Sequence, residues 1–169
     1  MKRSVRSAVG TLSAMVMAGI LSAAPPPVVP ATEITPARVI ELMNAYRGHF
    51  GLEPLREDPR LDEAAADRIQ DMEDLGYWSH VSPDGRPPFG WIEKRGYRYH
   101  YAGENLARGY ETAELLVESW MESPGHRENI LSPNFRDAGV AVIDGSTTRR
   151  ERGKSVVVLF GREMSGEAQ

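Results

Sequence analysis

Two of the four histidines in this chain stand beside turn-forming residues, where no apolar pattern calls for an imidazole. His80 ends the stretch WSH, and His126 follows Ser-Pro-Gly after a helical pattern. Glu104 lies between them in the stretch AGEN, where the neighbouring Gly103 predicts a turn. Two imidazoles and a carboxylate are groups that a divalent metal ion or a proton-transfer site uses. We therefore take His80, Glu104 and His126 as the candidate site, either as metal ligands or as catalytic residues.

Spacing alone leaves open whether these residues form one site or are unrelated loop residues. The two histidines are 46 positions apart, whereas a short motif such as H-E-x-x-H places both ligands on one helical face. A fourth polar group could come from Glu122 or Ser123, at the end of the helical pattern before His126. Serines near the histidines raise the question of a serine hydrolase, but the chain has no G-x-S-x-G sequence, which disfavours one.

The first residues have the layout of a secretory signal peptide. Three basic residues precede an uncharged apolar run, and small residues follow it. We predict a signal peptide over 1–24, a proline-rich linker over 25–34, a folded domain over 35–163 and a C-terminal tail over 164–169. The mature protein would then be secreted, or would reside in the periplasm or cell envelope, with no stable membrane span after cleavage. An uncleaved N-terminal anchor is the alternative.

Charge and cysteine content disfavour several classes of protein. Loss of residues 1–24 removes three basic residues and no acidic one, so the formal net charge falls from −4 to −7. A nucleic-acid-binding surface needs a basic patch, and the basic cluster of Arg149, Arg150 and Arg152 lies in a polar stretch typical of a solvated loop. Without cysteine, the chain is neither a disulfide scaffold nor a lipoprotein anchored through cysteine.

Three amphipathic helices have clear start or stop signals. Thr35 and Asp58 are each followed by proline, which favours an N-cap and a first helical residue. Gly76 is predicted to end the second helix. The third pattern spans 112–121, and the Pro-Gly pair at 124–125 is predicted to end it in a turn that aims His126 toward the site.

Extended segments alternate with these helices. In the runs 138–143 and 155–160, odd and even positions are both mostly apolar, which predicts an antiparallel hairpin buried on both faces. The stretch 97–107 favours a strand, and a short helix is expected around Phe89–Lys94. Helices that flank a small antiparallel sheet define an α+β fold.

Four stretches carry a family resemblance, in the order WSHVSPDGRPPFGWIEKRGY, AGENLARGY, ESWMESPGHRENILSPNFRDAGVAV and SVVVLFGRE. They resemble the bacterial branch of the CAP superfamily, which contains the cysteine-rich secretory proteins, antigen 5 and the pathogenesis-related-1 proteins. The domain of this superfamily is also called the SCP domain. The resemblance spans 34–163, and it implies an α-β-α sandwich with a small antiparallel sheet between helices and a site in a central cleft.

The family's cleft carries two histidines and two glutamates that can hold a divalent cation. The resemblance assigns His80 and His126 as the histidines and Glu104 as the glutamate of the GEN motif, with Zn²⁺ or another divalent cation as the implied cofactor. In animal and plant members the second glutamate lies three residues after the helix tryptophan, and here Ser123 takes that place. We expect His80 and His126 to face each other across one pocket, with Asn105, Ser123, Arg127 and Asn129 in support.

The resemblance implies a secreted protein whose cleft binds a small ligand or a divalent cation. Its partner would be a small molecule, a lipid or an envelope protein, and not a nucleic acid. Two alternatives use the same residues: a metal-assisted or acid/base hydrolase, and a structural interaction module with a vestigial site. We interpret the remaining histidines, His49 and His100, as surface or boundary residues, and the three tryptophans as core residues.

Overall fold

The computed structural model describes residues 33–145 and 153–164. Within these residues, the helices are α1 (Pro36–His49), α2 (Pro59–Leu75), α3 (Phe89–Lys94), α4 (Ala113–Glu122) and α5 (Pro124–Leu131), and the strands are β1 (Arg56–Glu57), β2 (Tyr99–Tyr110), β3 (Asp137–Asp144) and β4 (Lys154–Glu163). The predicted signal peptide, most of the predicted linker and the cluster at 149–152 lie outside the described residues. None of the described helices is long and apolar enough to cross a membrane.

The strands form one sheet in the order β1-β3-β4-β2. Strands β3 and β4 pair antiparallel from Asp137 opposite Gly161 to Asp144 opposite Lys154, which confirms the predicted hairpin. Strand β2 also pairs antiparallel with β4, while the two-residue strand β1 pairs parallel with β3. Strand β2 is therefore an edge strand, and its free edge faces α4 and α5.

Helices cover both faces of the sheet. On one face, side chains such as Val156 and Val158 pack in a core with α1, α4 and α5. On the other face, the alternate residues Val157 and Leu159 pack in a second core with α2 and α3. All four of these side chains are fully buried. The predicted α-β-α sandwich is thus confirmed. In each strand of the hairpin, the side chains that face either side of the sheet are apolar because helices cover both faces.

The predicted helix starts are also confirmed. The Thr35 hydroxyl accepts a hydrogen bond from the Arg38 amide of α1 at 3.3 Å. The Asp58 carboxylate accepts one from the Arg60 amide of α2 at 2.9 Å. Helix α2 ends as predicted at Gly76, whose φ of 66° is the left-handed conformation that glycine tolerates best. Capping residues thus define both ends of α2, the helix that carries Arg68, which contacts the candidate residue Glu104.

The sequence predicts a turn at the Pro-Gly pair 124–125, but in the structure both residues belong to a helix. Helix α4 ends at Glu122, Ser123 is extended with φ −90° and ψ 118°, and Pro124 then begins α5. Proline suits the first helical position because its missing amide hydrogen has no intrahelical partner there. His126 therefore lies in the first turn of a new helix instead of in a loop. The expected break after α4 is present, but it is a single residue long.

Asp58 links the start of α2 to the end of β4 through Arg60. Both Asp58 carboxylate oxygens accept hydrogen bonds from the Arg60 side chain, and Arg60 also pairs with Glu163. The hydrogen bond from Arg60 lowers the pKa of Asp58 despite its partial burial. Because the folded pKa is the lower one, the ionised carboxylate stabilises the fold above its ordinary pKa, and this stabilisation is lost as the pH falls toward the folded value.

We expect Asp58→Ala to lower the free energy of unfolding by about 1–2 kcal/mol at pH 7, since it removes both a helix cap and an ionic contact. Urea denaturation at pH 7 and pH 3 would measure this change. Asp58→Asn is the matched control, because asparagine keeps the cap and removes only the charge. Its smaller deficit should shrink at pH 3, and a deficit independent of pH would contradict the ionic contribution.

Candidate functional site

Glu104 is the centre of a buried hydrogen-bonded chain. It lies in strand β2, which corrects the prediction of a turn: the strand continues through Gly103, where a side chain would overlap Phe135 at 2.8 Å. Its Oε2 accepts from Arg68 Nε at 3.0 Å, and its Oε1 lies 2.7 Å from His80 Nδ1. The side chains of Arg68 and Glu104 are 0% and 2% exposed, whereas that of His80 is 55% exposed. This series of hydrogen bonds, from Arg68 through Glu104 to His80, therefore runs from the core to the surface.

Arg68 also fixes the loop that carries His80. Its guanidinium donates to the Tyr77 hydroxyl and to the Ser79 carbonyl oxygen, and it stacks on Trp91 at 4.7 Å from the ring centroid. The Tyr77 hydroxyl in turn donates to Asp71. One residue of α2 thus holds the backbone next to His80 and the carboxylate that binds its ring. This positions Nδ1 toward Glu104 and leaves Nε2 for other contacts.

The two candidate histidines have pKa values shifted in opposite directions. The hydrogen bond to Glu104 raises the pKa of His80, and this effect outweighs its partial burial. Burial lowers the pKa of His126, and the positive charge of His80 lowers it further. Near neutral pH, His126 is therefore the neutral imidazole and His80 the one with greater cationic character.

Two asparagines fasten α5 to the edge of β2. Asn105 Nδ2 donates to the His126 carbonyl oxygen at 3.1 Å. Asn129 Nδ2 donates to the Glu104 carbonyl oxygen at 3.1 Å and to Asn105 Oδ1 at 2.8 Å. These bonds set the position of His126 relative to Glu104. The side chains of Asn105 and Asn129 thus contact the strand and helix backbones and each other, and their predicted support of a functional site stays a prediction.

Arg47 holds the other end of α5. It is fully buried, and its guanidinium donates to the carbonyl oxygens of Ile130 and Ser132 at 2.8 and 2.9 Å. It also donates to Glu53 and Phe135 carbonyl oxygens. The Ile130 and Ser132 acceptors lie at the C-terminal end of α5, where helical carbonyl groups lack an intrahelical partner. The short helix α5 is therefore anchored at both ends.

A cleft of about 270 Å³ opens beside this hydrogen-bonded network, at the edge of β2. It is lined by Trp78, Leu106, Ala107, Arg108, Tyr110, Ser119, Trp120, Ser123 and His126. The rings of Trp120 and His126 lie 6.2 Å apart, and Arg108 lies over the Trp78 ring at 5.7 Å from its centroid. The cleft thus combines aromatic walls with a small number of polar groups, as ligand pockets commonly do.

The predicted site residues fall into two groups around the cleft. His126 and Ser123 line it, whereas His80 is not a lining residue and follows the lining residue Trp78 by two positions in the sequence. Glu104 is buried beneath His80. The predicted supporting residue Arg127 is exposed and stacks on Phe50 at 5.3 Å from the ring centroid. Glu122, the other candidate for the fourth position, is exposed at the end of α4.

The donor set does not fit a divalent cation in this arrangement. Among the described residues, no three His, Cys, Asp or Glu side chains are grouped so that they could hold a metal ion. Both oxygens of Glu104 are engaged, one by Arg68 and one by His80. A cation bound to Glu104 would compete with the buried guanidinium, whose charge would lose its counter-charge. The predicted His80, Glu104 and His126 ligand set therefore stays a prediction that requires Glu104 to exchange a partner.

Sequence reasoning missed two contributors to the site. Arg68 falls within the apolar stripe of α2, but no local pattern reveals its partner Glu104, which is 36 residues away. Trp78, expected in the core, is half-buried and forms one wall of the cleft. Trp91 and Trp120 are buried as predicted. The sequence feature that could have identified Trp78 as a site residue is its position two residues before His80.

The fold belongs to the class of small α-β-α sandwiches, with a cleft at the sheet edge that His126 helps to line. The family model of the cysteine-rich secretory protein family, CAP, matches residues 40–160. The chain therefore belongs to the CAP family, which confirms the resemblance.

Relatives of known sequence and structure agree with this membership. The chain is 44% identical over 110 residues to the uncharacterized protein YkwD of Bacillus subtilis, a match that covers 65% of this chain and 43% of YkwD. An extracellular protein with an SCP domain from Bacillus anthracis superposes with a TM-score of 0.67 at 27% identity, over 76% of this chain and 40% of that one.

An outer surface protein from Borrelia burgdorferi has the same fold. It superposes with a TM-score of 0.65 at 21% identity, over 79% of this chain and 99% of that protein. The present chain spans less than half the length of the curated relative YkwD. These comparisons therefore establish the domain and its fold.

Proposed function

We propose that this chain is a ligand-binding CAP domain that acts outside the cytoplasm, and that the cleft at the edge of β2 holds a small organic molecule. The observation that carries this proposal is a cleft that is lined by the half-buried Trp78 and the buried Trp120 and that also contains the polar side chains of Ser119, Ser123 and His126. Aromatic walls supply apolar contact area, and the few polar groups fix orientation. The cleft volume of about 270 Å³ suits a molecule of one or two rings.

The extracellular location rests on two kinds of support. The N-terminal sequence has the layout of an export signal. Two structural relatives are named as an extracellular protein and an outer surface protein. A small ligand in solution or in the envelope is therefore the partner that we propose, in preference to a lipid or an envelope protein.

Tryptophan NMR provides the direct test of this function. In ¹⁵N-labelled protein, titration with 2-naphthol should move the indole N–H resonances of Trp78 and Trp120 and leave Trp91, which lies outside the cleft, unchanged. Trp78→Ala should weaken binding by about fivefold or more, since it removes one wall. The matched control is Tyr101→Ala, which removes an exposed aromatic side chain elsewhere on β2. Equal effects of the two substitutions would contradict the cleft as the binding site.

A second candidate function is acid/base hydrolysis. The observation that favours it is the 2.7 Å contact between Glu104 Oε1 and His80 Nδ1, because a carboxylate that orients an imidazole leaves its other nitrogen available for proton transfer. Neutral His126 would take a proton from the attacking water, and protonated His80 would donate one to the leaving group. Ester and peptide substrates would report turnover, which His80→Ala and His126→Ala should each abolish.

The same variants address the remaining alternative of a vestigial site. If the domain were a structural interaction module, His80→Ala and Trp78→Ala would alter neither ligand binding nor turnover. Both variants should fold, because the two side chains are only partly buried. Thermal unfolding of each variant checks this point before any binding measurement.

Zn²⁺ titration tests the cofactor that the resemblance implies. Because Glu104 is held by Arg68 and His80, we expect calorimetry on the mature chain to show no saturable one-to-one binding at micromolar Zn²⁺. The paired control is the His80→Ala, His126→Ala double variant, which should give the same trace. Saturable binding in the parent chain that is lost in the double variant would establish a metal site and show that Glu104 changes partners.

A further inference from the structure

A cluster of arginines lies near the C-terminal end of α5, whereas the cleft lies beside the first turn of that helix. We infer that the side chains of Arg136 and Arg162 form a binding site for a phosphate group, with the buried Arg47 beside them as a further positive charge. This inference goes beyond the proposed function, because the site shares no lining residue with the cleft. The phosphate group could belong to a soluble molecule or to a lipid headgroup.

Two guanidinium groups of this cluster share one acceptor. Arg47 Nη2 and Arg136 Nη1 both donate to the Phe135 carbonyl oxygen, at 3.3 and 3.1 Å. Arg47 is fully buried, and its other acceptors are also carbonyl oxygens, so its hydrogen bonds supply no negative counter-charge. Burial lowers the pKa of Arg47, and the positive charge of Arg136 lowers it further. Two like charges therefore lie next to each other at the start of β3.

The end of β4 adds a third arginine to the cluster. The Arg136 amide donates to the Gly161 carbonyl oxygen at 2.9 Å, so Arg136 lies beside the part of β4 that contains Arg162. Arg162 comes two residues after Phe160 and therefore projects from the same face of the strand. The Phe160 ring stacks on the ring of Phe135, the residue before Arg136, with centroids 5.4 Å apart. The half-buried Arg136 and the exposed Arg162 thus reach solvent in the same region.

The charge of this cluster is not neutralised within the part of the chain that the structure describes. Arg47, Arg136 and Arg162 form no ion pair with a described carboxylate. Six other described arginines each have a carboxylate within 3.0 Å: Arg38, Arg56, Arg60, Arg68, Arg86 and Arg95. The nearest carboxylates in sequence, Asp137 and Glu163, are already paired with arginines of that group. Like charges repel each other, so a bound anion would relieve this repulsion in addition to making its own contacts.

Arg136 and Arg162 have donors available for a phosphate group. Arg136 uses Nη1 for the Pro133 and Phe135 carbonyl oxygens, and its Nε and Nη2 have no partner among the described residues. The guanidinium of Arg162 likewise has no described hydrogen-bond partner. Planar guanidinium groups bind phosphate through parallel, charge-assisted hydrogen bonds. A phosphate dianion should therefore bind here more tightly than a carboxylate monoanion.

NMR of the arginine side chains in the labelled mature chain tests the site. At pH 7.5 and constant ionic strength, sodium phosphate should move the ¹³Cζ resonances of Arg136 and Arg162, with half-saturation at about 1 mM. Sodium acetate should bind about tenfold more weakly, because it carries a single charge. The indole resonances of Trp78 and Trp120 should not move, since they belong to the cleft.

Variants show whether these two arginines form the site. Arg136→Gln and Arg162→Gln should each weaken phosphate binding by about fivefold or more, and the double variant should abolish it. The matched control is Arg86→Gln, which removes an arginine that is 57% exposed but paired with Asp84. In thermal unfolding, 10 mM phosphate should raise the melting temperature of the parent chain by about 2–4 °C and leave that of the double variant unchanged. The same unfolding curves verify that each variant is folded.

Vesicles distinguish the two sources of the phosphate group. Sedimentation with phosphatidylglycerol vesicles but not with phosphatidylcholine vesicles, lost in the double variant, would assign the site to a lipid headgroup. Phosphate binding without sedimentation would assign it to a soluble phosphate. Resonance shifts that do not saturate, that acetate or chloride reproduces at equal concentration, or that persist in the double variant would overturn the inference. None of these results bears on the cleft, so the proposed function is tested separately.

Discussion

Replacing Arg68 with methionine should destabilise the domain by about 3–5 kcal/mol, because it leaves the Glu104 carboxylate buried without its counter-charge. Arg68 is fully buried, and its Nε lies 3.0 Å from Glu104 Oε2. The same substitution removes the hydrogen bond to the Ser79 carbonyl oxygen, so the loop that carries His80 should also lose its position. Urea denaturation measures the first effect, and the chemical shifts of the His80 ring report the second.

A double-variant cycle separates the ion pair from the loss of packing. Glu104→Leu alone should also be strongly destabilising, since the Arg68 charge then stays buried and unpaired. The Arg68→Met, Glu104→Leu double variant should lose much less than the sum of the single variants. Additive losses would show that the two side chains act independently, and a loss below about 1 kcal/mol for Arg68→Met would be typical of an exposed pair.

Gly139→Ala should destabilise the domain by about 3 kcal/mol or more, because it forces α2 away from the sheet. A side-chain carbon at Gly139 in β3 would lie 2.1 Å from the Leu61 backbone carbon and 2.2 Å from the Asp62 nitrogen. Both neighbours are backbone atoms, so no rotamer change relieves the overlap. The displacement should also reach Arg68 in the same helix. We expect a lower melting temperature together with changed His80 resonances.

Gly48→Ala is the matched control for this substitution. Gly48 lies in α1, is exposed and has no atom within 4 Å of the added carbon. Alanine is the better helix former, so this variant should be neutral or should stabilise the protein by up to about 1 kcal/mol. Equal losses at the two positions would mean that the close approach of α2 and β3 is not the cause.

Local signals in the sequence are sufficient to predict most of the fold. The caps at Thr35 and Asp58 and the stop at Gly76 are recognisable because each depends on residues a few positions apart. The hairpin of β3 and β4 is recognisable because odd and even positions of its strands are both mostly apolar. The layered arrangement follows from these patterns and agrees with the family resemblance.

Contacts between distant residues are the part that the sequence does not reveal. Arg68 lies on the apolar stripe of α2, but no local pattern reveals that its partner is Glu104, which is 36 residues away. Helix α5 is missed because Pro124 and Gly125 are both common in turns, whereas proline is also favoured at a first helical position. Trp78 lines a cleft because the loop after α2 returns to β2, which depends on the tertiary fold.

The two candidate histidines are held from opposite faces of the sheet. Arg68 of α2 and Glu104 hold His80 from one face, whereas Asn105 and Asn129 hold α5 and His126 on the other face. The edge of β2 is where the two faces meet. We propose that the two imidazoles converge at this edge, because ligand binding and acid/base chemistry at this cleft both depend on their convergence.

The most direct test of that convergence is an NMR titration of the histidine rings in the parent chain and in His80→Gln. In the parent chain, the pKa of His80 should lie above the ordinary histidine value and that of His126 below it. In His80→Gln, the pKa of His126 should rise, because the neighbouring positive charge is gone while its burial remains. An unchanged pKa of His126 would show that the two imidazoles do not share a site.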